Sequence, residues 1–172
     1  LTVVGDVDPI HVADLANRVL PKLSSPVIER DYGEEPETVA EKETVMEMEV
    51  SAPQFLAGFK CAPAAKGSDY MRANILGDLA CDILLGDSSP LYQRLYEQGL
   101  INPSFGGAYE MLPGVAYLYA GGDSRDANAV TDAILQEAER LAAGGVDEDY
   151  FRRIRKASFG ANLRGLNSFE NI

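Results

Sequence analysis

One histidine, His11, and two cysteines, Cys61 and Cys81, are all that this 172-residue chain offers of the side chains that most often hold transition metals or act as nucleophiles. With no second histidine, a two-histidine zinc site cannot form from this chain alone. Both H-x-x-E-H and H-E-x-x-H are absent. The glycine-containing stretch AGGDSRD, residues 120–126, lacks G-x-G-x-x-G and Walker spacing and carries two aspartates, so it reads as a strand-to-helix turn and not a phosphate loop. Basic residues are outnumbered, 15 against 27 acidic, for a net charge of −12. Such a surface repels phosphate backbones and argues against a nucleic acid partner. No apolar run approaches the roughly 18 residues of a membrane-spanning helix, so no membrane partner is expected. No charged start followed by an apolar segment marks a signal peptide. There is no internal repeat at a solenoid-like period and no low-complexity tract.

What remains is the composition of an ordinary globular domain, 46% hydrophobic and 24% charged, long enough for one domain with its own core. Leu1 opens directly into a strand-like run, LTVVGD, as expected of a piece of a longer protein, in whose missing part any targeting signal would lie. Cys61 and Cys81 fall on apolar faces of a predicted strand and a predicted helix. That predicts two buried, reduced thiols and a cytoplasmic setting.

Leu1 to Gly5 reads as a strand. Asp8-Pro9 opens a helix, with Val12, Leu15, Ala16, Val19 and Leu20 on one stripe and Pro21 as its stop. Residues 29–43 hold seven acidic and two basic side chains and read as an exposed connection. Val45 to Val50 alternates Met46, Met48 and Val50 against Glu47 and Glu49, which predicts a half-buried strand. Phe55, Ala57, Phe59 and Cys61 continue the two-residue period after Ser51-Ala52-Pro53. From Asp69 to Leu85 the period is helical, with Met71, Ile75, Leu76, Leu79, Ile83 and Leu84 on a broad apolar face. Strands over Ser104–Met111 and Val115–Gly121 join around Leu112-Pro113-Gly114 as a hairpin. Asp126 caps a helix closed by Gly144-Gly145. Asp147 caps a last helix running to Leu163 or Arg164, with Val146 and Phe151 as its staple. The expected order is β-α-β-β-α-α-β-β-α-α. The fold class is α+β, a two-layer sandwich of a mostly antiparallel sheet with helices on one face, spanning residues 1–172 as a single domain.

The stretch from Gly86 to Phe105, GDSSPLYQRLYEQGLINPSF, is the most informative segment. Ser89 suits an N-cap, Pro90 the first helical position, and Gly99 a left-handed stop. Leu91 and Leu95 share one face. As a string this segment resembles the small-x-Leu-aromatic-x-x-Leu-x-x-x-Gly-Leu signature of the insulinase/pitrilysin-like (inverzincin) zinc metallopeptidase family. LTVVGDVDP, MEMEVSAPQFLAGFK, the helix ending LLGD, GVAYLYAGGDSRD and GVDEDYFRRIRKA follow in the family's order. Together they resemble the second, non-zinc-binding domain, most closely in its bacterial processing-protease-like branch.

The resemblance implies related α+β domains that close around an unfolded peptide, with zinc held by H-x-x-E-H in a neighbouring catalytic domain. This chain would carry no zinc ligand of its own. It would wall the chamber beside a catalytic domain of the same or a partner chain, with a homo- or heterodimer as one arrangement. In the family's distal domain, an arginine and a tyrosine of this segment reach the substrate. Here Tyr96 and Asn102 occupy those places and Arg94 lies two positions away, so these three are the residues the resemblance offers for substrate binding. Two other readings fit the same residues: a free-standing α+β module that binds a partner or ligand, and a non-catalytic subunit of a two-chain processing peptidase.

Overall fold

The computed structural model describes residues 1–20, 31, 33–63 and 67–171. The chain divides into two compact units, Leu1–Asp31 with Ala157–Ile172, and Tyr32–Lys156.

In the first unit, helix α1 spans Pro9–Val19. The Asp8 carboxylate caps it, accepting from the backbone N–H groups of Ile10 at 2.9 Å and His11 at 3.4 Å. Val12 and Ala16 are half-buried, while Leu15, Val19 and Leu20 of the same stripe are exposed. The predicted stop at Pro21 lies outside the described residues. The predicted strand over residues 1–5 does not form, because its backbone finds no ladder partner among the described residues. Alternation and β-branching favour an extended chain, but only cross-strand hydrogen bonds make it a strand.

The second unit holds β1 (Gln54–Cys61), α2 (Ser68–Leu85), α3 (Pro90–Glu97), β2 (Gly106–Leu112), β3 (Val115–Asp123) and α4 (Ala127–Gly144). Helix α5 (Glu148–Gly165) starts in this unit, and its residues from Ala157 onward are grouped with the first. A 3-10 turn, Phe169–Asn171, follows it. The predicted connection over 29–43 is exposed and irregular from residue 33 onward, with residues 29, 30 and 32 outside the described set. The strand predicted over Val45–Val50 is absent for the same reason as the first: Met46 and Met48 stay exposed and no strand among the described residues pairs with them.

Among the described residues the sheet has three strands in the order β1-β3-β2, both pairs antiparallel, which gives the expected α+β class. Pro113 and Gly114 (φ 85°) turn β2 into β3, with Leu112 opposite Val115. Register puts Phe59, Leu118 and Tyr109 side by side on one face, and Ala57, Ala120 and Gly107 beside them. This is the face the helices cover, with Ala120 fully buried. The small residues of β3 and β2 let helix side chains reach the sheet backbone. A Cβ at Gly107 would come within 2.5 Å of Leu85 Cδ1.

Helix α2 follows its predicted period, but only its second half is covered. Leu79, Cys81, Ile83, Leu84 and Leu85 are buried, while Met71 is 65% and Ile75 55% exposed. The cysteines split likewise. Cys81 lies in the core, where burial pushes its thiol up to about 11. Cys61, expected to be buried, is exposed, as the last residue of β1, an outer strand of the sheet.

Gly77 sits in mid-helix where α2 crosses Tyr109, and a Cβ there would lie 2.2 Å from the ring. Replacing it with alanine gains about 1 kcal/mol of helix propensity. Overpacking against a ring that cannot retreat into the sheet costs about 1–3 kcal/mol. Gly77→Ala should therefore lower the urea midpoint of unfolding, and Gly77→Val should lower it further. An unchanged or raised midpoint for Gly77→Ala would show that Tyr109 gives way.

Candidate functional site: the α3 corner

Two local devices build the corner. At its start the Ser89 hydroxyl, fully buried, accepts from Tyr92 N–H at 3.0 Å, and Pro90 occupies the first helical position. At its end Gly99 takes φ 67°, Gly99 N–H donates to Tyr96 C=O and Leu100 N–H to Leu95 C=O, each at 3.0 Å. This is the Schellman pattern, so both ends read from the sequence are realised. Leu91 and Leu95, 0% and 1% exposed, tie α3 into a cluster with Leu84, Leu85, Phe105, Ala120, Val130 and Ile134.

Beyond Gly99 the chain turns through Asn102, whose side-chain carbonyl accepts from Ser104 N–H at 2.8 Å and Ser104 O–H at 2.6 Å. The Asn102 amide donates to Asp123 Oδ2 at 2.9 Å, and Gln54 donates to Asp123 Oδ1 at 3.2 Å. Asp123 N–H in turn donates to Ser104 Oγ at 2.9 Å. One carboxylate thus joins the start of β1, the end of β3 and the corner loop. Gly122 (φ 152°) makes this crossing possible, since a Cβ there would meet Phe105 Cα at 2.7 Å. The Asn102 amide, then Gln54, hold the Asp123 carboxyl below the usual carboxylate range.

The outer side of α3 meets a second carboxylate. Glu137 of α4 is buried, and its Oε1 accepts from Arg140 Nη2 at 2.7 Å and Nε at 3.1 Å. Arg94 Nη2 lies 3.7 Å from Oε2, so each oxygen faces one guanidinium. The Arg140 hydrogen bonds outweigh burial and hold the Glu137 carboxyl low. Beside this pair, a cleft of about 350 Å³ is lined by Ser88, Gln93, Arg140, Tyr150 and Arg153 among others. Tyr150 O–H donates to Ile83 C=O at 3.2 Å, and Arg153 covers its ring at 5.5 Å.

The three residues proposed from sequence take separate partners. Arg94 reaches toward Glu137 with its side chain 46% exposed. Tyr96, half exposed, stacks on Tyr92 with centroids 6.0 Å apart. Asn102 is fastened to Asp123. The sequence reading missed Glu137 and Asp123. Glu137 had a legible signal: it falls on the stripe of Val130, Ile134 and Leu141, with Arg140 three residues on. His11 stands exposed at the start of α1. No cluster of three or more histidine, cysteine or acidic side chains fit to hold a metal occurs among the described residues.

Comparison with known proteins places this arrangement. Residues 1–158 match the family described as the peptidase M16 inactive domain. The whole chain is similar, at 29% identity, to 41% of the uncharacterized zinc protease YmfH of Bacillus subtilis. A crystal structure of a candidate M16-like peptidase from Alicyclobacillus acidocaldarius superposes with a TM-score of 0.82 and 30% identity, over 94% of this chain and 38% of that one. A protease from Helicobacter pylori shares the fold at a TM-score of 0.72 and 22% identity, over 98% of this chain and 41% of that one. The chain therefore spans about two fifths of the length of these relatives.

Because the fold holds Asp123 and Glu137 below their ordinary values, each contributes stability that is complete above the ordinary carboxylate range. That contribution is lost as pH falls through the depressed values. Asn102→Ala should move the Asp123 titration, followed by carboxyl NMR, back toward 3.8. Glu137→Gln should flatten the acid limb of the stability curve. An Asp123 titration unmoved by Asn102→Ala would refute the hub.

Proposed function

The chain belongs to the peptidase M16 inactive-domain family, and from that membership we propose that it is the non-catalytic domain of a zinc metallopeptidase-like protein, walling a chamber for unfolded peptide beside a catalytic domain. The match of residues 1–158 to the inactive domain carries this reading. The lone histidine supports it, since this chain cannot supply a two-histidine zinc site. Zinc and the hydrolytic machinery then belong to the catalytic domain, on the same or a partner chain. The zinc-protease naming of the Bacillus relative is consistent with that division. A processing-type peptidase acting in the cytoplasm completes the reading, the two unpaired cysteines favouring a reducing setting.

Within the chamber, Arg94 and Tyr96 are the proposed peptide contacts, because both present polar groups to solvent from a rigid, capped helix. Asn102, with its amide committed to Asp123, acts by positioning the loop between them and the sheet.

The test is a metal analysis and a peptide-cleavage assay on the chain alone and together with the catalytic domain. The chain alone should hold no stoichiometric zinc and leave unfolded peptides intact, and cleavage should appear when the two are combined. Tight one-to-one zinc on the isolated chain would overturn the proposal. In the assembled protein, Tyr96→Ala should raise KM several-fold with little change in kcat, the signature of lost binding that ground and transition states share. An unchanged KM removes Tyr96 from the peptide path.

A further inference from the structure

The cleft of about 350 Å³ beside the Arg140–Glu137 pair has no part in holding the corner together. Its lining comes from the end of α2, from α3 and α4, and from the start of α5. That lining divides by chemistry. Pro90, Leu141 and Val146 are apolar, while Gln93, Arg140 and Arg153 carry N–H donors. The volume lies at the small end for ligand clefts, which run from about 300 to 1,000 Å³. That suits the end of a chain better than a continuous strand.

Both arginines keep donors in reserve. Arg140 spends Nε and Nη2 on Glu137 Oε1, and no described residue accepts from its Nη1 group. Arg153 lies over the Tyr150 ring at 5.5 Å. A guanidinium used this way commits its face and keeps its in-plane N–H groups for other partners. Among the described residues no carboxylate forms an ion pair with Arg153, and the neighbouring acids Glu148 and Asp149 pair with Arg152 instead. The Asp147 carboxylate is occupied as a cap, accepting from Tyr150 N–H at 2.8 Å. Spare guanidinium donors in a concave site, in a chain of net charge −12, point to an anionic ligand.

The charge around the cleft narrows the choice of anion. Arg94, Arg140 and Arg153 stand against Glu137 and Asp147, a surplus of a single positive charge. A carboxylate matches that surplus, whereas a phosphate group carries nearly twice the charge. We propose that this cleft takes the C-terminal carboxylate of a peptide whose last side chain is apolar. The guanidinium N–H groups of Arg140 and Arg153 donate to the carboxylate, and Pro90, Leu141 and Val146 receive the side chain. The inference deepens the peptide-enclosing role proposed above and rests on it, by naming which end of a peptide is held and by what chemistry.

The test titrates N-acetyl-Ala-Ala-Leu and its C-terminal amide onto the chain, following the Nε–H resonances of Arg140 and Arg153 by NMR. The acid should bind and shift both resonances, and the amide should do neither. Arg153→Gln should weaken binding roughly tenfold. Arg153→Lys should recover only part of the loss, because the charge returns without the fork. Gln93→Ala, an exposed position on a different helix, should weaken binding several-fold at an unchanged urea midpoint, so that lost binding cannot be laid to unfolding. Equal binding of acid and amide, or an unaffected Arg153→Gln variant, would overturn the inference. Inorganic phosphate that displaces the tripeptide at equal concentration would overturn it in favour of a phosphate site. N-acetyl-leucine that binds as tightly as the tripeptide would overturn it in favour of a free acid. A chain that restores cleavage with the catalytic domain yet binds acid and amide alike refutes this inference and leaves the proposed function standing.

Discussion

An eight-residue helix does not persist in water by itself, so the corner at α3 depends on the burial of Leu91 and Leu95. Each buried leucine contributes roughly 1.5–3 kcal/mol of transfer free energy. That suffices to hold a helix whose intrinsic stability is near zero only if both ends are satisfied. Ser89 and Gly99 do this, and they fix where the chain enters and leaves. From that fixed exit Asn102 reaches Asp123, and from the fixed outer face Arg94 reaches Glu137. Two apolar side chains thereby set the position of every polar group at the corner.

The sequence disclosed elements whose determinants are local. Caps at Asp8, Ser89, Asp126 and Asp147 all formed, as did the Pro113-Gly114 turn and the long periods of α2 and α4. It misled at residues 1–5 and 45–50, where the alternation was present but the partner strand was not. A strand is a property of two segments, and neither Val3 nor Met48 carries information about the other one. The same limit hid Asp123, whose partners Gln54 and Asn102 are distant in the chain. Glu137 was legible on its helix wheel, but a charge on an apolar stripe is easily read past.

The carboxylates divide by what lies opposite them. Asp123 and Glu137 face donors and ionise more readily than usual, whereas Asp78 and Asp82, drawn partly out of solvent and set near other carboxylates, do so less readily. With a net charge of −12 the chain has acid to spare, and Asp123 and Glu137 are carboxylates that tie separate elements together. Helix α2 shows the same division along its length. Its second half is core, while its first half carries apolar side chains that no described residue covers.

The Tyr70 hydroxyl on the Met111 carbonyl has a bearing on solubility. An open outer strand invites copies of the same chain to stack edge to edge without end. By donating to the Met111 carbonyl, Tyr70 withdraws one backbone acceptor of β2 from pairing with another strand. A single phenol thus does for that carbonyl what a neighbouring strand would otherwise do.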